Sequence, residues 1–204
     1  MHPINSVKGA ITTAFVLAIL IGIGLAAWNG LGIGVHPVRI DRWLHILSGV
    51  MWIGLLYYFN VVQTPGLAVA AADKGGPGGA GISKYIAPRA LLWFRWAAVA
   101  TWVTGALYLM SGYGANTHIG IVRAFTLQPG FRTIGVGAWL GTIMLFNVWV
   151  LIWPNQKKIL GIVPATDEEK AAARKTAGMA SRINFILSVP MLMCMGGQSH
   201  GLPF

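Results

Sequence analysis

Histidine is the residue type in this sequence with the widest chemical range, and His45 has the most informative surroundings. Trp43 lies two positions before it, and tryptophan is a residue type that favours the membrane interface. Gly49 and Trp52 follow His45 at the i+4 and i+7 spacing of one helical face. Imidazole is a common axial ligand of haem, a metal ligand and a proton carrier near neutral pH. Because a glycine above a histidine leaves room for a flat ring, the spacing makes His45 a candidate ligand of haem or of a metal. A solvated histidine at the head-group level and a proton carrier are the alternatives.

Aromatic and cationic residues could complete a cofactor pocket around such a ligand. Trp52 and Trp102 lie near the middle of apolar runs, too deep for an interfacial belt, so they either wall a planar cofactor or pack against glycines. Arg95 lies between two tryptophans, where it either extends to the membrane surface or pairs with a phosphate or a cofactor carboxylate. We take all three as candidate cofactor-binding residues.

A sulfur-rich stretch near the end of the chain raises the question of copper. Met191, Met193, Cys194 and Met195 lie shortly before His200, and thioether, thiol and imidazole groups suit Cu(I). Successive odd positions of a helix point to different faces, so core packing is the preferred interpretation and copper is not expected. The chain has 1 cysteine, which excludes a C-x-x-C-H attachment site for c-type haem.

The composition places these residues in a lipid bilayer. Of the 204 residues 55% are hydrophobic and 10% are charged, whereas a soluble domain has about a quarter charged residues. The net charge of +10 comes from cations dispersed between apolar runs, where they orient a membrane protein and contact anionic head groups. Nucleic acid is therefore not an expected partner.

Five apolar runs approach or reach the length needed to cross a bilayer, which is about 20 residues. They cover residues 9–31, 43–62, 91–110, 133–153 and 183–197. The last is short, but Thr166 and Glu169 have capping-box spacing, so we expect a longer helix that begins near Thr166 and is kinked at Pro190. The sequence predicts an all-α integral membrane protein, a bundle of five transmembrane helices in a single domain of residues 1–204.

The distribution of cations predicts the orientation of the chain. Of the 15 Lys and Arg residues, 11 lie on the side of the N-terminus and 4 on the other side. Cytoplasmic loops carry an excess of Lys and Arg, so the N-terminus is predicted to be cytoplasmic and the C-terminus periplasmic. Residues 66–88 and 155–180 become cytosolic loops, and the glycine-rich stretch 66–81 is expected to be a flexible connector.

This topology brings four histidines to the outer face. His36 and His45 flank the start of the second span, His118 follows the third and His200 follows the fifth. His118, His200 and His36 are therefore candidate partners of His45, although exposed loop histidines without a special role are common.

Polar residues inside the predicted spans are few. We expect Asn147, Asn184 and Ser188 to form hydrogen bonds between helices. All five acidic residues fall in predicted loops, so no pair of carboxylates is expected inside the membrane for acid–base chemistry.

Several segments resemble the membrane domain of the cytochrome-c-linked urate oxidase family. The first segment, residues 43–59, contains the groups W-L-H, W-I-G and Y-F together with Gly49. The second segment contains the group W-F-R-W at 93–96, Thr101-Trp102 and Gly105. The most specific likeness is Gly141-Thr142-Ile143-Met144, followed by Asn147-Val148 and by Ile152 with Pro154-Asn155-Gln156-Lys157. A fourth group shares the family's pattern and consists of Asn184, Leu187, Ser188 and Pro190.

The resemblance implies a bacterial inner-membrane oxidoreductase of purine breakdown that passes electrons to cytochrome c. A full-length member has more spans and a cytochrome c domain, whereas this chain is shorter and has no C-x-x-C-H. Ile183 and Phe185 stand where the family pattern has a histidine and a second asparagine. A weaker likeness links the helix of His45 and Trp52 to haem-binding and copper-resistance membrane proteins.

The sequence therefore favours a redox membrane subunit, with His45 as ligand of b-type haem near the periplasmic face and a periplasmic cytochrome c as electron acceptor. The alternative is a non-catalytic structural subunit of a larger membrane complex or a homo-oligomer, with glycines and tryptophans at its interfaces. A permease for a metal or small molecule is a third possibility, but buried acids and inverted repeats are missing from the sequence.

Overall fold

The structure is a computed structural model that describes residues 6–111 and 119–203. The chain divides into two compact units, Met1–Pro37 and Val38–Phe204. All regular secondary structure in the described ranges is helical. His118, one of the predicted ligand partners, lies outside these ranges.

The N-terminal unit contains helix α1, Val7–Trp28. Ser6 caps its start, because the Ser6 hydroxyl accepts a hydrogen bond of 3.0 Å from the backbone N–H of Gly9. The following residues are apolar almost without interruption, as a membrane span requires.

The second unit contains seven α-helices and three π-helical segments. In chain order they are α2 (Pro37–Tyr57, starting at the unit boundary), π1 (Tyr58–Gln63), α3 (Thr64–Ala72), π2 (Ile82–Ile86), α4 (Ala87–Ser111), α5 (Ile119–Phe125), α6 (Arg132–Phe146), π3 (Asn147–Ile152), α7 (Trp153–Ile159) and α8 (Asp167–His200). With α1, five continuous helical stretches of the described chain are long and apolar enough to cross a membrane: Val7–Trp28, Pro37–Ala72, Ile82–Ser111, Arg132–Ile159 and Asp167–His200.

Four long helices of this unit form an antiparallel bundle. His45 in α2 contacts Thr101 in α4, whereas Phe59 in π1 contacts Phe94, earlier in α4, so the two helices run in opposite directions. The same reversal relates α6 to α8, because Asn147 bonds Asn184 while Ile134 bonds Gln198.

Helix α8 packs mainly through small or polar side chains. The buried residues of α8 recur every three or four positions and are Ala173, Ala177, Ala180, Asn184, Ser188, Met191 and Cys194. Large apolar side chains of the same helix, such as Ile186 and Val189, are 67% and 59% exposed. A surface more apolar than the helix interface suits a protein surrounded by lipid.

The polar residues of the predicted spans connect helices, as expected. Asn184 is fully buried, and its Nδ2 donates to the carbonyl oxygen of Met144 at 3.0 Å while its Oδ1 accepts from Asn147 Nδ2 at 2.8 Å. The hydroxyls of Ser188 and Tyr57 lie 3.1 Å apart. These bonds confirm the predicted interhelical role of Asn147, Asn184 and Ser188.

The predicted loops contain more helix than expected. Residues 64–72 form α3 and residues 82–88 belong to π2 and α4, so the proposed connector is reduced to the turn between them. The reason is composition: the stretch 68–72 is rich in alanine, the strongest helix former, and the glycines of this segment cluster after it. The second predicted loop, 155–180, contains most of α7 and the start of α8.

The capping box is confirmed. The Thr166 hydroxyl accepts from the backbone N–H of Glu169 at 3.2 Å, and the Glu169 carboxylate accepts from the backbone N–H of Thr166 at 2.9 Å. Helix α8 starts at this point, well before the apolar run that the sequence predicts as the fifth span.

Candidate functional site

Two cavities lie toward opposite ends of the four-helix bundle. The first, here called the His45 cavity, has a volume of about 80 Å³. Its walls come from α2, the second half of α4, α5, α6 and the C-terminal part of α8. They consist of His45, Trp52, Thr101, Trp102, Gly105, Ala106, Tyr108, Leu109, Phe125, Ile134, Ala138, Gly141, Met191 and Met195.

The hydrogen bond of His45 leaves one ring nitrogen for a ligand. Its Nδ1 lies 2.8 Å from the carbonyl oxygen of Thr101, and this oxygen can only accept a hydrogen bond. The neutral ring therefore carries its proton on Nδ1 and has a lone pair on Nε2. Proteins orient histidine ligands of metals in the same way, because the ring nitrogen that does not bind the metal donates a hydrogen bond to a carbonyl or carboxylate oxygen.

Gly105, and not Gly49, makes the room for this ring. A Cβ atom on Gly105 would lie 2.8 Å from Cε1 of His45, which is closer than side-chain atoms approach. A Cβ atom on Gly49 would meet the methyl group of Thr101 at an ordinary 3.7 Å. The expectation that Gly49 leaves room for a flat cofactor ring concerns another space, and Gly49 does not line the His45 cavity.

An acid lies one turn before His45. Asp41, which the sequence analysis assigned to a loop, belongs to α2, and its Oδ2 is buried without a hydrogen-bond partner among the described residues. The helix begins earlier than the apolar run because Pro37 suits a first helical turn.

Both tryptophans of the predicted pocket line the His45 cavity. Trp52 is 2% exposed, and its Nε1 has no hydrogen-bond partner among the described residues. Trp102 is held in place by a hydrogen bond of 2.9 Å from its Nε1 to the hydroxyl of Thr142. A buried indole N–H without an acceptor is energetically unfavourable, so a ligand with an acceptor atom would be stabilised there.

Two methionines of α8 face the same cavity. Met191 and Met195 both line it, since positions four apart share one helical face. Cys194 does not line the cavity, and its Cβ lies 3.1 Å from the position of a Cβ on Gly137 of α6. That the two thioethers share a cavity with His45 was not predicted from the sequence. The i, i+4 spacing was the available signal.

The other histidines of the predicted cluster that the structure describes are His36 and His200. His200 is exposed at the last position of α8 and does not line the cavity. His36 belongs to the N-terminal unit. Within the described ranges, no group of three or more His, Cys, Asp or Glu residues is placed to hold a metal ion.

Arg95 lies in a different part of α4. Its guanidinium carbon is 3.8 Å from the ring centre of Trp153, so the cation stacks on an aromatic face. Ten positions separate Arg95 from Gly105, which is about 15 Å along the helix. The structure therefore does not bring Arg95 into the pocket that the sequence analysis assigned to it.

The second cavity, here called the Gln63 cavity, was not predicted. Its volume is about 460 Å³, and it lies toward the end of the bundle where α2 and π1 lead into α3. It is lined by Phe59, Gln63, Thr64, Leu67, Ser83, Ala87, Leu91, Phe94, Ile152, Gln156, Ile159, Leu160, Arg174, Ala177, Gly178 and Ser181. Gln63 and Gln156 each follow a long apolar run, and two amides at such positions were the signal in the sequence.

Comparison with known proteins gives one match. A family model described as urate oxidase N-terminal matches residues 117–204, which is less than half of the 204 residues. No curated protein and no solved structure matches the chain. The matched region includes the 141–157 motif group and both cavity-lining methionines, while His45 and Arg95 lie before it. This part of the chain is therefore similar to the urate oxidase N-terminal family.

Proposed function

We propose that this protein is the membrane-embedded subunit of a urate-oxidase-type oxidoreductase, and that the His45 cavity holds its redox group. The family match and the five helices long enough to cross a membrane support the general assignment. The observation that carries the redox part is the His45–Thr101 hydrogen bond, because it holds an imidazole with Nε2 free at the wall of a cavity.

The donor atoms suit a b-type haem, while the cavity is small. Imidazole and thioether are both axial ligands of haem iron, and His45, Met191 and Met195 line the same cavity. Its 80 Å³ is smaller than the roughly 150 Å³ that admits benzene, so a porphyrin would require the cavity to widen. When bound, the haem would supply one-electron chemistry, and Trp52 and Trp102 would lie beside it.

A soluble cytochrome c is the proposed electron acceptor. The His45 cavity lies at the end of the bundle that the cation distribution assigns to the periplasm. Electrons leaving at this end would reach an acceptor in the periplasm of a bacterium. In vesicles of known orientation, added cytochrome c is expected to oxidise the reduced subunit only from the side that exposes this end.

The test of the redox group is the absorption spectrum of protein purified from a haem-producing host. The wild type is expected to show a Soret band, and His45→Ala is expected to lose it or to shift it strongly. His200→Ala is the matched control, because His200 is exposed and lies outside the cavity, and its spectrum is expected to remain unchanged. A Soret band that is identical in the wild type and in H45A would remove His45 from this function.

A further inference from the structure

Arg95 and its neighbours form a cluster of cations and tryptophans outside both cavities. The cluster, here called the Arg95 cluster, consists of Trp93, Arg95 and Trp96 in α4 and of Trp153 and Lys157 in α7. We propose that it binds the phosphate headgroup of an anionic phospholipid. The inference rests on the membrane-embedded part of the proposed function and is independent of the redox group at His45.

Two cations of the cluster lie beside the same indole ring. The guanidinium carbon of Arg95 is 3.8 Å from the ring centre of Trp153, and the ammonium nitrogen of Lys157 is 5.9 Å from it. Because both distances end at the same ring centre, the two charges are separated by at most the sum of these distances, about 10 Å. Like charges repel, more strongly where lipid lowers the local dielectric constant, and an anion between them would remove this repulsion.

Neither cation has an acidic partner within ion-pair distance in the described part of the chain. The ion pair observed there joins Lys170 to Asp167 at 3.5 Å, near the start of α8. Stacking on Trp153 covers a face of the Arg95 guanidinium, whereas its N–H groups lie at the edge of the plane. A guanidinium edge can bind two oxygen atoms of a phosphate at once, and the phosphate of a phosphodiester offers only acceptors to such a set of donors.

The position of the cluster along the helices matches the level of lipid headgroups. The sequence has no charged residue between Arg132 at the start of α6 and Trp153 at the start of α7. The 21 positions from Arg132 to Trp153 correspond to about 30 Å of helix, which is the thickness of the hydrocarbon core. With Arg132 at one membrane surface, Trp153 and Lys157 therefore lie at the other, where the phosphates of the lipids are.

The exposed surface around Arg95 favours a lipid over a soluble anion. Trp93 and Trp96 lie on either side of it in α4 and are 59% and 55% exposed. The Trp96 ring packs edge to face against Trp149 of π3, with ring centres 5.4 Å apart, and Val150 beside it is exposed as well. Acyl chains can cover such apolar side chains, whereas a free phosphate ion has no apolar part. Tryptophan is also the residue type that favours the headgroup level of a membrane.

The pair of cations distinguishes between classes of phospholipid. Phosphatidylcholine and phosphatidylethanolamine carry a cation next to their phosphate, and Arg95 and Lys157 would repel it. Phosphatidylglycerol carries the negative charge of its phosphate without such a cation. An anionic phospholipid is therefore the better fit. Its headgroup would also link two helices, because Arg95 belongs to α4 and Lys157 to α7.

The experiment is native mass spectrometry of the full chain in a mild detergent, with phosphatidylglycerol or phosphatidylcholine of the same acyl chains added. The wild type is expected to bind phosphatidylglycerol at least fivefold more tightly than phosphatidylcholine. Arg95→Gln and Lys157→Gln are each expected to weaken the binding of phosphatidylglycerol at least threefold, and the double variant is expected to lose the preference between the two lipids. Lys158→Gln is the matched control, because residue 158 lies about 100° further around α7, and it should change the affinity less than twofold.

Three outcomes would overturn the inference. One is equal affinity of the wild type for both lipids, and another is equal weakening by K157Q and K158Q, which would indicate a general effect of surface charge. Excess inorganic phosphate is expected not to displace the lipid, and complete displacement would identify a soluble anion as the occupant. Melting temperatures of all variants show that a loss of binding is not a loss of fold.

The lipid preference and the redox proposal are tested separately. His45→Ala is expected to leave the preference for phosphatidylglycerol within twofold of the wild type, and Arg95→Gln is expected to leave any Soret band unchanged. Release of the wild type from membranes by alkaline carbonate would contradict the membrane-embedded assignment and the lipid site together. A wild type that stays in the membrane but shows no lipid preference would contradict only the lipid site.

Discussion

Gly105 faces the imidazole of His45 so closely that a Cβ atom at this position would lie 2.8 Å from Cε1. The absence of a side chain on α4 thus permits His45 to reach the carbonyl oxygen of Thr101. The hydrogen bond between α2 and α4, which leaves Nε2 of His45 free, therefore depends on Gly105, a residue without a reactive side chain.

Gly105→Ala is expected to displace the His45 ring and to break its hydrogen bond with Thr101. Overpacking of this kind lowers the free energy of unfolding by about 1–3 kcal/mol. The measurements are thermal unfolding in detergent and the spectrum of any bound cofactor. Gly141→Ala is the control, because Gly141 lines the same cavity but a Cβ there has no atom within 4 Å. Equal behaviour of the two variants would contradict the assigned role of Gly105.

Met191 and Met195, which line the cavity of His45, are expected to differ from Met193 in their effect on the reduction potential of a bound haem. If one of them is the second axial ligand of a haem, Met191→Leu or Met195→Leu lowers the reduction potential, because thioether ligation raises it. Met193→Leu is expected to have no such effect, since Met193 does not line the cavity. Potentiometric titration of the three variants decides between them. If none of the three moves the potential, the second ligand is not a methionine of this stretch.

The amide pair of the bundle core is expected to contribute to stability as a unit. Asn184→Leu leaves Asn147 and the carbonyl oxygen of Met144 without their partner, which should lower the free energy of unfolding by about 1–3 kcal/mol. The double variant Asn147→Leu with Asn184→Leu should be less destabilised than the sum of the two single variants, because neither amide is then left unpaired.

Asn155→Leu serves as the comparison for this pair. Its side chain bonds the carbonyl oxygen of Leu151 in its own helix, so a smaller loss of stability is expected. Unfolding curves of the four variants provide the energies. Strict additivity of the two single substitutions would show that Asn147 and Asn184 act independently.

The capping box should hold the first turn of α8. Thr166→Ala removes the hydroxyl that accepts from the N–H of Glu169, a change that typically lowers the free energy of unfolding by about 1 kcal/mol. Faster hydrogen exchange is expected at the first backbone amides of α8. Thr126→Ala removes a hydroxyl bonded to the carbonyl oxygen of Val122 after α5 and should leave these amides unchanged. Unchanged exchange in T166A would show that other contacts hold the start of the helix.

The long helices and several of their contacts could be predicted from the sequence, because hydrophobic length and capping chemistry act locally. Apolar runs predicted helices that can cross a membrane, Thr166 and Glu169 marked the start of α8, and Asn147 and Asn184 were expected to join two helices. His45, Trp52 and Trp102 were chosen together, and the structure places them around one cavity.

Which residues meet could not be predicted from local patterns, because the rotation and register of each helix depend on its neighbours. Gly105 lies against the His45 ring, Arg95 stacks on Trp153, and His200 lies away from the cavity that Met191 and Met195 line. The Gln63 cavity is the extreme case. Its polar groups come from segments more than a hundred residues apart, so the positions of Gln63 and Gln156 after apolar runs do not by themselves predict a shared cavity.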